Sequence, residues 1–108
     1  MKAKSRVHYE GRARIAKALA HPTRLLLLDL LQEKERCVCD LTDLVGADQS
    51  TVSKHLAVLK NAGIVADRKE GVMTFYSLKV ACLRGFWSCI EGVLQQNLRE
   101  QQALMGST

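Results

Sequence analysis

No run of about 18 apolar residues occurs in this 108-residue chain, and its most apolar stretch, Leu25 to Leu31, is interrupted by Asp29, far too short to span a bilayer. The first residues, Met-Lys-Ala-Lys-Ser-Arg, carry positive charge with no apolar segment behind them, so no secretory signal is expected and the chain is expected to stay in the cytoplasm. Internal repeats, low-complexity segments and proline-rich linkers are also missing, and the length suits one domain over residues 1–108. There is no Cys-X-X-Cys pair and no acid–base constellation, which argues against a thiol enzyme or a metallochaperone; the chain is read as not an enzyme. Acidic residues are scarce at the front. In residues 1–24 only Glu10 opposes Lys2, Lys4, Arg6, Arg12, Arg14, Lys17 and Arg24, within a net charge of +5. Such a field favours a polyanion.

What is present centres on Asp48 to Gly63. Asp48 can cap the first unpaired N–H groups of a helix, Val52, Leu56 and Leu59 recur at helical spacing, and Gly63 can end the helix in a left-handed cap. Gln49, Ser50, Thr51, Ser53, Lys54 and His55 then lie near the front of the helix, with amides, hydroxyls and a cation suited to base edges and phosphates in a major groove. Upstream, Leu41, Leu44 and Val45 mark a shorter helix, and Gly46-Ala47 is a tight corner between the two. Downstream, Ile64 to Lys69 and Val72 to Leu78 are rich in β-branched and aromatic residues and flank Glu70-Gly71, a hairpin signal. A helix-turn-helix over 39–63 followed by a basic hairpin over 64–78 is a winged helix, mainly α with a small β-hairpin wing. Arg68, Lys69 and Tyr76 on the wing, with Lys54 and Lys60, are the candidates for phosphate or minor-groove contacts.

Residues 1–8 read as a basic arm and residues 9–20 as a helix with Ile15, Ala16, Leu19 and Ala20 grouped on one side. Pro22 suits the first position of a second helix that should cross the centre of the domain. The last helix, expected over 80–104, has an apolar stripe of Leu83, Phe86, Trp87, Ile90, Val93, Leu94 and Leu98, more than its own domain needs. A homodimer with the terminal helices at the interface follows as the expectation.

The four cysteines, in a reducing compartment, are expected as thiols. Cys37 and Cys39 stand at the entrance of the first motif helix. Two residues apart they diverge in a helix but share a face in an extended segment, so chelation by both requires the chain to be unwound there. Cys82 and Cys89, seven apart, lie roughly 10 Å apart along a helix axis and cannot bridge each other; packing beside Phe86 as small apolar residues is one role for them. Three histidines are present and none is paired at helical metal spacing: His21 caps or packs at a helix junction, His55 faces DNA, and His8 is the one auxiliary ligand to entertain.

These motifs together resemble the ArsR/SmtB family of dimeric winged-helix repressors, which release DNA on binding toxic metals or metalloids. The resemblance covers nearly the whole chain. It rests on Ala18-Leu19-Ala20-His21-Pro22-Thr23-Arg24, on Cys37-Val38-Cys39-Asp40-Leu41, on Asp48 to Leu56, on Leu59-Lys60-Asn61-Ala62-Gly63-Ile64-Val65, and on the Arg68 to Tyr76 wing. It implies a double-stranded DNA operator as partner, a homodimer, no membrane, no cofactor for DNA binding, and a thiophilic inducer. The Cys-Val-Cys-Asp-Leu element is similar to that of arsenic and antimony sensors and of cadmium and lead sensors. This chain departs from them in three places: a position that often holds a third cysteine is Thr42, the N-terminal arm has no cysteine, and the last helix carries Cys82 and Cys89 where zinc sensors place Asp and His ligands. Soft thiolates without His or carboxylate favour As(III) or Sb(III), bound by Cys37 and Cys39 with Cys82, Cys89 or a small thiol as third donor. The alternatives are a cadmium, lead or zinc sensor of the same fold and a thiol redox sensor. The expected mechanism is a shift of the first motif helix on ligation, which spoils the spacing of the two recognition helices.

Overall fold

A computed structural model describes residues 3–106. The elements run α1 (Arg6–Leu19), α2 (Pro22–Glu33), β1 (Arg36–Cys37), α3 (Val38–Val45), α4 (Gln49–Asn61), β2 (Val65–Glu70), β3 (Met73–Leu78) and α5 (Leu83–Gly106). The starts of α1 to α4 have local causes. Ser5 caps α1 by accepting the His8 N–H at 3.3 Å, so helix begins within the expected arm and shortens it; Met1 and Lys2 lie outside the described residues. His21 caps α2, its Nδ1 accepting the Thr23 N–H at 3.1 Å with Pro22 next. Leu27, Leu28 and Leu31 of α2 are buried, which places this helix at the centre of the core.

The corner between α3 and α4 turns on Gly46, whose φ of 76° is left-handed and whose N–H returns to Thr42 O. Asp48 then caps α4, Oδ1 accepting the Thr51 N–H at 2.8 Å and the Ser50 hydroxyl at 2.7 Å. Val52, Leu56 and Leu59 are shut off from solvent. The helix ends at Gly63 (φ 83°): the Ile64 N–H reaches Leu59 O at 3.0 Å and the Gly63 N–H reaches Lys60 O at 2.9 Å, the paired bonds of a Schellman cap.

Strands β2 and β3 pair antiparallel from Val65↔Leu78 to Glu70↔Met73 around a Gly71-Val72 loop. Gly71 has φ 63° and Val72 does not share the positive sign, the pattern of a II′ hairpin turn that only glycine adopts easily at the first position. The third strand has no counterpart in the sequence reading. Two residues long, β1 adds to the other side of β3 with Arg36↔Tyr76 and Cys37↔Phe75, giving the order β1-β3-β2.

The last helix starts at Leu83, three residues later than expected, and leaves the body of the molecule. Leu83 is its one buried residue and Trp87 packs partly against the core, whereas Phe86, Ile90, Val93, Leu94 and Leu98 are exposed. No helix among the described residues is long and apolar enough to cross a membrane.

Candidate nucleic-acid interface and thiol site

On α4 the side chains of Gln49, Ser50, Ser53 and Lys54 are exposed and Thr51 is half-buried. The Thr51 N–H and then the Ser50 hydroxyl hold the Asp48 carboxyl below its usual range, so the Ser50 proton is committed to the cap. His55 departs from the expected outward position. It lies one turn from both Val52 and Leu59, at the border of the buried stripe, and its ring centroid lies 4.3 Å from that of His21, the two planes tilted by 45°. Burial pushes this imidazole below its ordinary value, and repulsion from His21 and Arg24 adds to the shift. His55 therefore joins α4 to the start of α2.

The wing also rearranges the expected contacts. Tyr76, read as a DNA contact, belongs to the core; strand alternation sets it on the same sheet face as Val65 and Leu78. Burial first, and Asp67 second, raise its phenol above the ordinary value. Arg68, also read as a phosphate contact, points from the opposite face and is occupied within the sheet. Its Nη2 donates to Glu35 at 2.6 Å, its Nη1 donates to Glu70 at 2.7 Å, and its guanidinium lies 4.6 Å over the Phe75 ring. Those two carboxylates raise the Arg68 pKa and Arg68 lowers that of Glu35. Phe75 is thus flanked by Cys37 on one strand and Arg68 on the other, and Arg68 straps β2 to the residue just ahead of β1. Lys60 pairs with Asp67 at 3.1 Å. Lys54 and Lys69 make no ion pair among the described residues.

Cys37 caps α3 in an extended conformation (φ −79°, ψ 162°), its Sγ accepting the Asp40 N–H at 3.3 Å. The chain is therefore unwound at the point where two sulfurs could share one centre. The two Cα atoms are 5.4 Å apart and the sulfurs are joined as a disulfide, a correction to the expectation of four thiols: the strand-to-helix step brings both side chains within bridging reach. Cys37 is buried and Cys39 exposed. Asp40, which the sequence reading passed over, puts a carboxylate oxygen within 4.8 Å of both sulfurs. Its signal was its place three residues after Cys37, in the first turn of α3. Thr42 donates its hydroxyl to Val38 O at 2.8 Å. Cys82 and Cys89 are exposed and not buried, and within one chain neither joins the cluster of Cys37, Cys39 and Asp40. His8 stands apart on α1, edge-on to Tyr9.

A cleft of about 240 Å³ opens beside the sulfurs, lined by Cys37, Val38 and Cys39 on one side, Gln49 and Ser53 of α4 on another, and Val72, Thr74 and Tyr76 of the wing. One space is therefore shared by the thiol site, the recognition helix and the hairpin.

Residues 21–67 match the model of the bacterial regulatory protein arsR family. An HTH-type transcriptional regulator of Methanocaldococcus jannaschii is 51% identical over 69 residues, covering 63% of this chain and 78% of that protein. Among solved structures, a Mycobacterium tuberculosis protein aligns with TM-score 0.76 and 35% identity over 90% of this chain and 98% of its own. The homodimeric winged helix-turn-helix DNA-binding domain of a Mycobacterium bovis protein, solved by NMR, aligns with TM-score 0.74 and 30% identity over 93% and 95%. With its capped recognition helix, its hairpin wing and these matches, the chain belongs to the ArsR family of winged helix-turn-helix transcriptional regulators.

Proposed function

We propose that this chain is a cytoplasmic homodimeric repressor that leaves a double-stranded operator when As(III) or Sb(III) binds Cys37 and Cys39. The observation that carries this reading is the placement of the two sulfurs at the junction of β1 and α3, beside a cleft whose other walls are Gln49 and Ser53 of the recognition helix and the wing. A centre bound there acts on both DNA-facing elements. Relatives add support: the arsenical resistance operon repressor of Escherichia coli is 44% identical over 63 residues, 57% of this chain and 54% of that protein. The cadmium resistance regulator homolog of Staphylococcus aureus is 43% identical over 67 residues.

In the repressing state Gln49, Ser50, Thr51, Ser53 and Lys54 face the major groove, while Lys69 meets the backbone and Lys60, its charge shared with Asp67, contributes less. The uncovered stripe of α5 forms the two-fold contact with its copy. Arsenite, As(OH)3, exchanges As–O for As–S bonds with thiols, whose protons leave with the hydroxides as water, and the bridge between Cys37 and Cys39 must first be reduced to two thiols by a cellular thiol, itself oxidised to a disulfide. Cys82 or Cys89 of the second subunit, or a small thiol, supplies the third sulfur.

Fluorescence anisotropy of DNA from upstream of the chain's own gene tests this, with arsenite, antimonite, cadmium and peroxide added to wild type, Cys37→Ser and Cys39→Ser. The expected result is release by arsenite and antimonite from wild type alone; mutants that respond fully would remove the site. The bridged sulfurs favour one second reading, a redox sensor in which peroxide takes two electrons and two protons from the pair and leaves as water. Release by peroxide with indifference to arsenite would select it.

A further inference from the structure

A groove of about 880 Å³ runs between α1 and the C-terminal end of α4, within the roughly 300–1,000 Å³ of small-molecule sites. It shares no lining residue with the cleft beside Cys37 and Cys39. We infer that this groove binds an amphipathic carboxylate, an alkyl chain of medium length ended by one anionic group, with the carboxylate paired to Arg24 and the chain laid along the apolar wall.

Charge is the first argument. Arg12, Arg14, Lys17 and Arg24 line the groove and no carboxylate does. None of these four makes an ion pair among the described residues, whereas Arg6, Arg36, Lys60 and Arg68 are each paired with an acid. Arg12, Arg14 and Lys17 are exposed, so water screens them. Arg24 differs: it is half-buried, and its Nε is shut off from solvent with no hydrogen-bond partner. A buried donor of a charged group left unpaired is costly, and a carboxylate is the acceptor whose two oxygens match a guanidinium.

Surface is the second argument. The lining is mainly apolar, built from Val7, Ile15, Ala18, Val58 and Ala62, and Val7, Ile15 and Val58 stand exposed. A bare inorganic anion would leave that wall wet; an alkyl chain covers it. DNA is a poor occupant, because it meets the other end of α4 at Gln49 to Lys54 and brings phosphates without an apolar segment. A second copy of α5 is also poorer: Arg84 and Arg99 cancel Glu91 and Glu100, so that helix offers no net negative charge to four cations. The occupant would touch Ala18 of α1 together with Val58 and Asn61 of α4, and the charge of Arg24 is already felt at His55. It therefore bears on the recognition helix by a route that needs no cysteine.

Isothermal titration calorimetry of the full-length protein with decanoate, kept below its micelle threshold, tests this, with hexanoate, decanol and decyltrimethylammonium for comparison. Decanoate is expected to bind at one per chain and tighter than hexanoate by about tenfold or more, from the added buried methylenes. Decanol should bind more weakly and the ammonium should not bind. Arg24→Gln should weaken decanoate and leave decanol unchanged, and Ile15→Glu, at an exposed position of α1, should abolish decanoate binding. In wild type, the amide resonances of Ala18, Val58 and Ala62 should shift on titration while those of Cys37 and Cys39 stay in place. Cys37→Ser should bind decanoate as wild type does, which keeps this site separate from the metalloid reading. Decanoate that does not bind wild type, binds no tighter than hexanoate, or binds either groove variant as tightly as wild type overturns the inference. A groove filled by the second subunit would give the first of these results, together with a dimer lost in Ile15→Glu by sedimentation.

Discussion

Salt dependence of DNA binding separates the cations that face solvent from those the fold has already neutralised. Each phosphate contact of a lysine or arginine contributes about 0.9 to the slope of log affinity against log salt, and a dimer presents every side chain twice. Removing Lys54, which makes no ion pair among the described residues, should flatten the slope by about 1.8. Between about 50 and about 200 mM salt that amounts to roughly a tenfold smaller loss of affinity. Lys69→Ala should do the same. Lys60 shares its charge with Asp67 at 3.1 Å, so Lys60→Ala should move the slope by less. Arg68 is the discriminating case, because Glu35 and Glu70 hold its guanidinium at 2.6 and 2.7 Å on the sheet face away from the core. Arg68→Ala should leave the slope within error of wild type. Anisotropy titrations at four or five salt concentrations read all four variants. An Arg68→Ala slope that falls as far as that of Lys54→Ala would refute the reasoning, since Arg68 would then exchange its carboxylates for phosphates on binding.

Other consequences are equally direct. Leu56→Ala, at a fully buried site of α4, should cost about 2–5 kcal/mol of unfolding free energy in urea denaturation; a loss under 1 kcal/mol, on the order of a surface change, would contradict the core assignment. His55 has its pKa lowered below the reference 6.5 by burial, His21 and Arg24, so the unfolded chain binds its proton more readily. Stability from this contact is present above about pH 6.5 and fades as pH falls through the lower folded value; melting curves of wild type should fall more steeply with acid than those of His55→Gln, and parallel curves would count against it. Leu94→Asp on the uncovered stripe of α5 should leave a folded monomer with weakened DNA binding, measured by sedimentation equilibrium; a persistent dimer would move the interface elsewhere.

The helix-turn-helix was legible because each of its signals is local. Asp48, Gly46 and Gly63 act within four residues of themselves, and the stripe Val52, Leu56, Leu59 repeats at the helical period. The hairpin was legible from Gly71 for the same reason. What escaped depends on partners distant in the chain or on elements too short to show a period. Strand β1 has two residues and exists because β3 is there to pair with it. The Arg68–Glu35 contact joins residues 33 apart. Tyr76 and His55 were misread for a subtler reason: Tyr76 holds a buried position in the strand alternation it shares with half-buried Leu78, and His55 sits next to the buried helical stripe. Strict phase counting along the strand and the helix would have found both.

The missed strand changes how the thiol site can act. With α3 alone as the moving part, a ligand on Cys37 and Cys39 would have to shift an eight-residue helix and pass that shift to α4 through packing. Because Cys37 also ends β1, the same ligand pulls on a strand whose pairing partner is Phe75 of the wing. A two-residue pairing contributes little stability by itself, and the Arg68 strap from β2 to Glu35 is what adds to it. Glu35→Ala removes the strap without touching the sulfurs or the cations assigned to DNA. If the wing carries part of the signal, this variant should bind arsenite as wild type does yet release DNA less completely; if α3 carries all of it, release should be unchanged. Coupling of this kind is typically about 1–3 kcal/mol, so loss of one route is a several-fold effect, within reach of the same anisotropy assay.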